Sequence, residues 1–143
     1  MILPDVNLLL YANNPVAREH TQARNWLETI LTGNEAVGFC WPVVCGFLRL
    51  STSVRVFTTP LEMEEAIDLV EDWIRRQQVI VITPTDRHWL LLCELIREGK
   101  VHGPITTDAE IATYAVEHGA VLHTADRGFR RFLSVKTLNP LGS

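Results

Sequence analysis

Three aspartates, Asp5, Asp108 and Asp126, stand apart from the other acidic residues of this chain. Asp68 and Asp72 lie one turn apart beside Glu64, Glu65 and Glu71, which reads as the solvated face of a helix. Asp86, after Thr83-Pro84-Thr85, reads as a helix cap. Asp5 instead ends the first apolar strand, Asp126 follows the last, and Asp108 opens a helix where the chain returns to the same sheet edge. Each alone has a local explanation as a cap or turn residue. Convergence does not, because capping residues have no need to meet. Two carboxylates about 4 Å apart repel by about 4 kcal/mol at an effective dielectric near 20. A trio therefore takes up protons or is neutralised by a cation. A hard divalent ion, Mg²⁺ or Mn²⁺, suits carboxylate and water oxygens.

Rival chemistries lack their residues. The histidines form neither HExxH nor a Cys/His cluster, which argues against zinc. The glycines make neither GxGxxG nor GxxxxGK[ST], and no serine sits in a GxSxG elbow. A receiver-like switch with a phosphorylated aspartate would want paired acids after the first strand, and Asp5 stands alone there.

The elements that position the aspartates follow from periodicity. Strands are expected at residues 1–3, 36–40, 79–82 and 120–123, the third a β-branched run that suggests burial on both faces. Between them the pattern predicts helices over 6–12 and 16–31, and one opened by Pro42. Another is opened by Pro60, with an acidic start and an Arg75-Arg76 end that match the helix dipole. Further helices are expected over 86–98 and from Thr106-Thr107-Asp108 to Gly119. Short strands alternating with helices imply an α/β fold, a mostly parallel central sheet covered on both faces. Function in such sheets concentrates at the carboxyl ends of the strands, where the three aspartates fall.

At 143 residues the chain is read as one domain, 1–143. Its 47% hydrophobic and 21% charged residues are those of a soluble globular protein. The apolar run around Leu90, Leu91 and Leu92 is broken by Glu94 and Arg97, short of the roughly 20 residues a bilayer needs. The start lacks the features of a secretory signal, so a cytoplasmic protein is expected. Cys40, Cys45 and Cys93 form no CxxC pair and sit among apolar neighbours, which reads as buried reduced thiols. A net charge of -4 argues against a surface that grips nucleic acid all over, and leaves room for a local basic patch. Arg127, Arg130 and Arg131, directly after Asp126, are the candidate phosphate cradle, with Arg49 a second. Trp26, Trp41, Trp73 and Trp89 sit in periodic apolar stretches and are read as core. Leu27, Ile30 and Leu31 beside Trp26, and Phe47 near Trp41, extend apolar faces that could form a groove for a partner helix or a second copy.

Four segments in order resemble a PIN-domain ribonuclease of the VapC toxin type. They are Leu3-Pro4-Asp5-Val6-Asn7-Leu8-Leu9, then Trp41-Pro42-Val43 through Gly46-Phe47-Leu48-Arg49-Leu50-Ser51, then Thr107-Asp108-Ala109-Glu110-Ile111-Ala112. The last runs from Glu117-His118-Gly119 through Thr124-Ala125-Asp126-Arg127-Gly128-Phe129 to Phe132. The resemblance implies the PIN-like three-layer fold and a Mg²⁺- or Mn²⁺-dependent endoribonuclease that cuts RNA. It further implies a homodimer and neutralisation by a cognate VapB-type antitoxin. Asp5, Asp108 and Asp126 match its metal-site acids, and Asn7 and Thr124 its polar positions that steady them. Two departures stand out. The family usually carries a Glu on the third helix, a place read here as Val44, and often a further Asp where this chain has Gly128. Glu110 is the carboxylate that could compensate, although two residues along a helix point about 200° apart. The alternative reading is a catalytically weakened PIN-like module that binds RNA or protein.

Overall fold

The computed structural model describes residues 1–142. In chain order the elements are β1 (Ile2–Pro4), α1 (Val6–Ala12), α2 (His20–Thr32), β2 (Val37–Phe39), α3 (Trp41–Ser51), α4 (Met63–Ile74) and β3 (Val79–Val81). There follow α5 (His88–Gly99), a 3-10 turn (Gly103–Ile105), α6 (Thr106–Glu117), β4 (Val121–His123), a second 3-10 turn (Arg127–Arg131) and β5 (Thr137–Leu138). The strands form one sheet in the order β3-β2-β1-β4-β5, and every pairing is parallel.

The connections β1 to β2 to β3 run outward in one direction, and the chain then crosses back to β4 and on to β5. Right-handed crossovers place the helices of the first run on one face and the α5–α6 hairpin on the other. The direction reverses between β1 and β4, so a crevice opens at their carboxyl ends. Asp5 leaves β1 there, and Thr124 to Asp126 leave β4 beside it. Leu3, Leu8, Leu9, Val37, Phe39, Phe47, Leu122 and Phe129 are among the fully buried side chains that fix these strands against their helices.

Several local expectations change. Helix α2 starts at His20, because residues 14–19 form a turn in which Val16 is exposed. Helix α4 starts at Met63 and not at Pro60, since Glu62 and Glu65 make a reciprocal capping box one turn later. Asp86 caps nothing: α5 begins at His88, and the Thr85 hydroxyl takes the Arg87 N–H. The β-branched strand at 79–81 lies at the sheet edge, where Ile80 is half exposed, not in a doubly covered centre. Cys40 is buried, and burial pushes its thiol up to about 12, whereas Cys45 is exposed and Cys93 only half-buried. Trp26 and Trp73 are core residues, but Trp41 and Trp89 face solvent. Strand β5 carries no apolar periodicity of its own, and pairing with β4 creates it. No helix among the described residues is long and apolar enough to cross a membrane.

Candidate active site

Asp5, Asn7, Arg49, Asp108 and Asp126 line one cleft of about 320 Å³, together with Pro42, Gly46 and Thr107. Five elements build it: the β1–α1 junction, α3, the 3-10 turn before α6, the start of α6 and the turn after β4.

Asp5 is the anchor, buried at 4% exposure. Its N–H donates to the His123 carbonyl at 2.9 Å, continuing the β1–β4 ladder. Val6 N–H donates to Oδ1 at 2.8 Å, and the Thr124 hydroxyl donates to Oδ2 at 2.7 Å. Burial pushes the Asp5 carboxyl up, the two hydrogen bonds draw it back, and the Asp126 charge raises it again. Asp126 is held by its own turn: its N–H donates to Thr124 Oγ1 at 2.9 Å, and its Oδ1 accepts from Gly128 N–H at 2.7 Å. A Cβ on Gly128 would lie 3.0 Å from that Oδ1, so a larger residue there would crowd the carboxylate. Asp108 has its carboxyl pushed up to about 6, first by burial, then by the charges of Asp5 and Asp126, against which Arg131 acts. Trp26 supports the β4 end from behind, its Nε1–H donating to His123 Nδ1 at 3.0 Å.

The three aspartates thus share a cleft and feel one another's charge. Among the described residues no three His, Cys, Asp or Glu side chains stand close enough to enclose an ion by themselves. The donor set is nevertheless all oxygen and anionic, and it fits a hard cation that keeps several of its own waters, as Mg²⁺ does.

The other candidates divide. Thr124 touches Asp5 directly and Asn7 lies on the cleft wall. Glu110 is not among the cleft-lining residues, and its charge falls on Cys40 and Tyr114. Arg49 is exposed on the wall, and Arg131 is near enough to lower Asp108. Arg127 and Arg130 line an adjoining hollow of about 170 Å³ with Thr124, Asp126 and Asn139. Asn139 was invisible to sequence reasoning because β5, which delivers it to this edge, has only two residues. Val44 is core, at 4% exposure. The α3 residues on the cleft wall are Pro42, Gly46, Arg49 and Leu50, so the position from which an α3 acid would reach the aspartates is Gly46. Of the predicted apolar faces, Leu27, Ile30, Leu31 and Phe47 are all buried, and Leu27 and Leu31 form the floor of a groove of about 500 Å³ rimmed by Arg24, Glu28, Asp72 and Arg76.

A model of the PIN domain family matches residues 2–133. Ribonuclease VapC33 of Mycobacterium tuberculosis is 36% identical over 141 residues, covering 99% of both chains. Among solved structures, VapBC2 from Rickettsia felis, bound to a DNA fragment from its promoter, superposes with a TM-score of 0.69 at 21% identity, over 97% of this chain and 98% of that one. Mycobacterium tuberculosis VapC20, described as a Sarcin-Ricin loop cleaving toxin, gives 0.67 at 17% identity, over 95% of this chain and 99% of the other. The chain belongs to the PIN domain family, and within it to the VapC proteins.

Proposed function

We propose that this protein is a divalent-metal-dependent endoribonuclease toxin of the cytoplasm that hydrolyses RNA phosphodiesters and is silenced by a VapB-type antitoxin. The observation that carries this reading is the meeting of residues 5, 108 and 126 on one cleft, with the Asp108 carboxyl pushed up to about 6 by burial and the two neighbouring charges. The ribonuclease VapC relatives support the RNA substrate and the VapBC structures the antitoxin, and a homodimer is part of the same proposal.

Asp5, Asp108 and Asp126 would hold Mg²⁺ or Mn²⁺, which when bound supplies a water of lowered pKa and balances charge on the phosphate. Asp5 serves as the fixed ligand, since Val6 and Thr124 already orient both its oxygens. Asp108 accepts no hydrogen bond among the described residues and is the carboxylate left to take the proton of the attacking water. Arg49, Arg130 and Arg131 neutralise the flanking phosphates, with Arg127 at the same rim. The groove between α1, α2 and α4, with an apolar floor and a rim of Arg24, Glu28, Asp72 and Arg76, is the candidate seat of an amphipathic antitoxin helix. The test is expression in a bacterial host. Growth arrest relieved by Asp5→Ala, with Mn²⁺-dependent cleavage of labelled RNA by the purified chain, is the expected result.

One observation favours a second reading, a weakened nuclease retained as a binding module: α3 offers Gly46 to the cleft in place of an acid. Saturable Mn²⁺ binding without any RNA cleavage would select it.

A further inference from the structure

Three recesses run in series along the carboxyl edge of the sheet. The aspartate cleft shares Asp126 with the hollow of Arg127 and Arg130, and that hollow shares Ala125, Arg127 and Asn139 with a third recess of about 330 Å³. The third recess is lined further by Tyr11, Arg18, Glu19 and Gln22. A strand leaving the aspartates past Asp126 therefore meets the arginines first and this recess next.

The two stations differ in chemistry. The hollow sets Arg127 and Arg130 beside Asp126, whose carboxylate is turned into its own loop by the Gly128 N–H. The third recess sets Glu19 beside Arg18 and the shared Arg127, with two amides and a phenol added. Glu19 has a side chain 28% exposed and only a loose 4.0 Å approach from Arg18, so its oxygens are open to accept hydrogen bonds. Asn139 Oδ1 is already occupied by Leu141 N–H at 2.9 Å, which leaves the Nδ2 amide as a donor. Gln22, on the exposed face of α2, supplies a second amide. Burial, with the nearby charges of Glu19 and Asp126, keeps the Tyr11 hydroxyl protonated. A carboxylate acceptor pair set among amide and guanidinium donors complements a base edge that carries both donors and an acceptor.

We infer that the recess formed by Tyr11, Glu19, Gln22 and Asn139 is a recognition pocket for a guanine of the RNA strand lying across the aspartates, an inference that rests on the ribonuclease reading above. Guanine alone presents two adjacent donors, N1–H and the N2 amino group, to one carboxylate, with the O6 acceptor beside them for an amide NH₂. Adenine, cytosine and uracil each place an acceptor next to their donor, and a carboxylate repels it.

The experiment measures fluorescence anisotropy of labelled oligouridine octamers carrying one A, C or G at each position in turn. The protein is the full chain with Asp5→Asn, which prevents cleavage during binding. The expected result is one register at which guanine binds about tenfold tighter than uracil, within the range of a bidentate base contact. Adding Glu19→Gln or Asn139→Ala collapses that ratio towards one, whereas adding Arg130→Ala weakens every octamer alike and preserves it. Gln22→Ala, on an exposed helix face, is the further variant should either of the others fail to fold. No RNA binding, no base preference, a preference for another base, or a guanine preference that survives these pocket substitutions overturns the pocket. Cleavage is scored separately on the unsubstituted chain with Mn²⁺. Guanine-selective binding without cleavage would sink the nuclease reading and leave the pocket standing, and cleavage without base preference would do the reverse.

Discussion

The Thr124 hydroxyl bridges two of the aspartates: it donates to Asp5 Oδ2 at 2.7 Å and accepts from the Asp126 N–H at 2.9 Å. Thr124 is itself buried, so its proton is committed to Asp5 and its lone pair fixes the turn that aims Asp126. Thr124→Val removes both bonds while keeping the shape. It should cost about 1–3 kcal/mol, the usual penalty for an unmatched buried polar group, and should raise the Asp5 carboxyl further. Thr124→Ser should recover most of the loss. Urea unfolding of the three proteins checks this.

Metal should stabilise the fold. An ion that binds only the native chain contributes about 2.7 kcal/mol at a hundred times its dissociation constant. For a chain of this length that moves the thermal midpoint by on the order of 10 °C. The shift with Mn²⁺ should vanish in Asp5→Asn, Asp108→Asn and Asp126→Asn, and RNA cleavage should vanish with it. A full shift in any of them would remove that residue from the ligand set.

Acidity should act through Asp108, whose carboxyl is pushed from 3.8 up to about 6. Between those values the native chain binds a proton that the unfolded chain does not, so stability is greater on the acid side and is lost as pH rises through about 6. The metal-free protein should therefore melt at a lower temperature at about pH 7 than at about pH 5, and Asp108→Asn should flatten that slope. Mn²⁺ affinity should run the other way, weakening as protons compete below about 6. Calorimetry across this window, with and without ion, reads both.

Gly46 and Val44 should respond oppositely to the same acid. Val44→Glu buries a carboxylate among apolar side chains and should cost several kcal/mol, on the order of 3 or more. Gly46→Glu places it on the cleft wall. Its Cβ would meet Val6 Cγ2 at 3.1 Å, a contact that a small shift of Val6 relieves, while replacing a helical glycine returns about 1 kcal/mol. Gly46→Glu should fold and bind Mn²⁺ more tightly, which titration calorimetry would show.

Phosphate contacts should be visible in salt. Each one lost lowers the slope of log affinity against log salt by about 0.7 for a single strand. Arg130→Ala and Arg49→Ala should each flatten the slope by roughly that amount with an RNA oligomer. An unchanged slope would make the side chain a bystander.

Much of the site was legible because it rests on local grammar. Asp5 ends a strand and begins a helix, Asp126 opens a turn closed by Gly128, and Asp108 stands in a helix's first turn, and each signature survives without tertiary context. What depends on neighbours was not legible. The run at 79–81 looks doubly buried until the strand order makes it an edge. Thr137 and Leu138 become a strand only by pairing with Leu122 and His123, which hid Asn139. The orientation of α3 is set by packing, which puts Val44 in the core and Gly46 on the cleft wall.

The central strand β1 takes its partners from widely separated stretches of the chain: Ile2 faces Val37 on one side, and Ile2 to Pro4 face Val121 to His123 on the other. The bond from Thr124 to Asp5 spans 119 positions. The site is therefore closed by a contact of very long sequence separation, and Asp5 is seated late in folding, only after the two stretches have found each other.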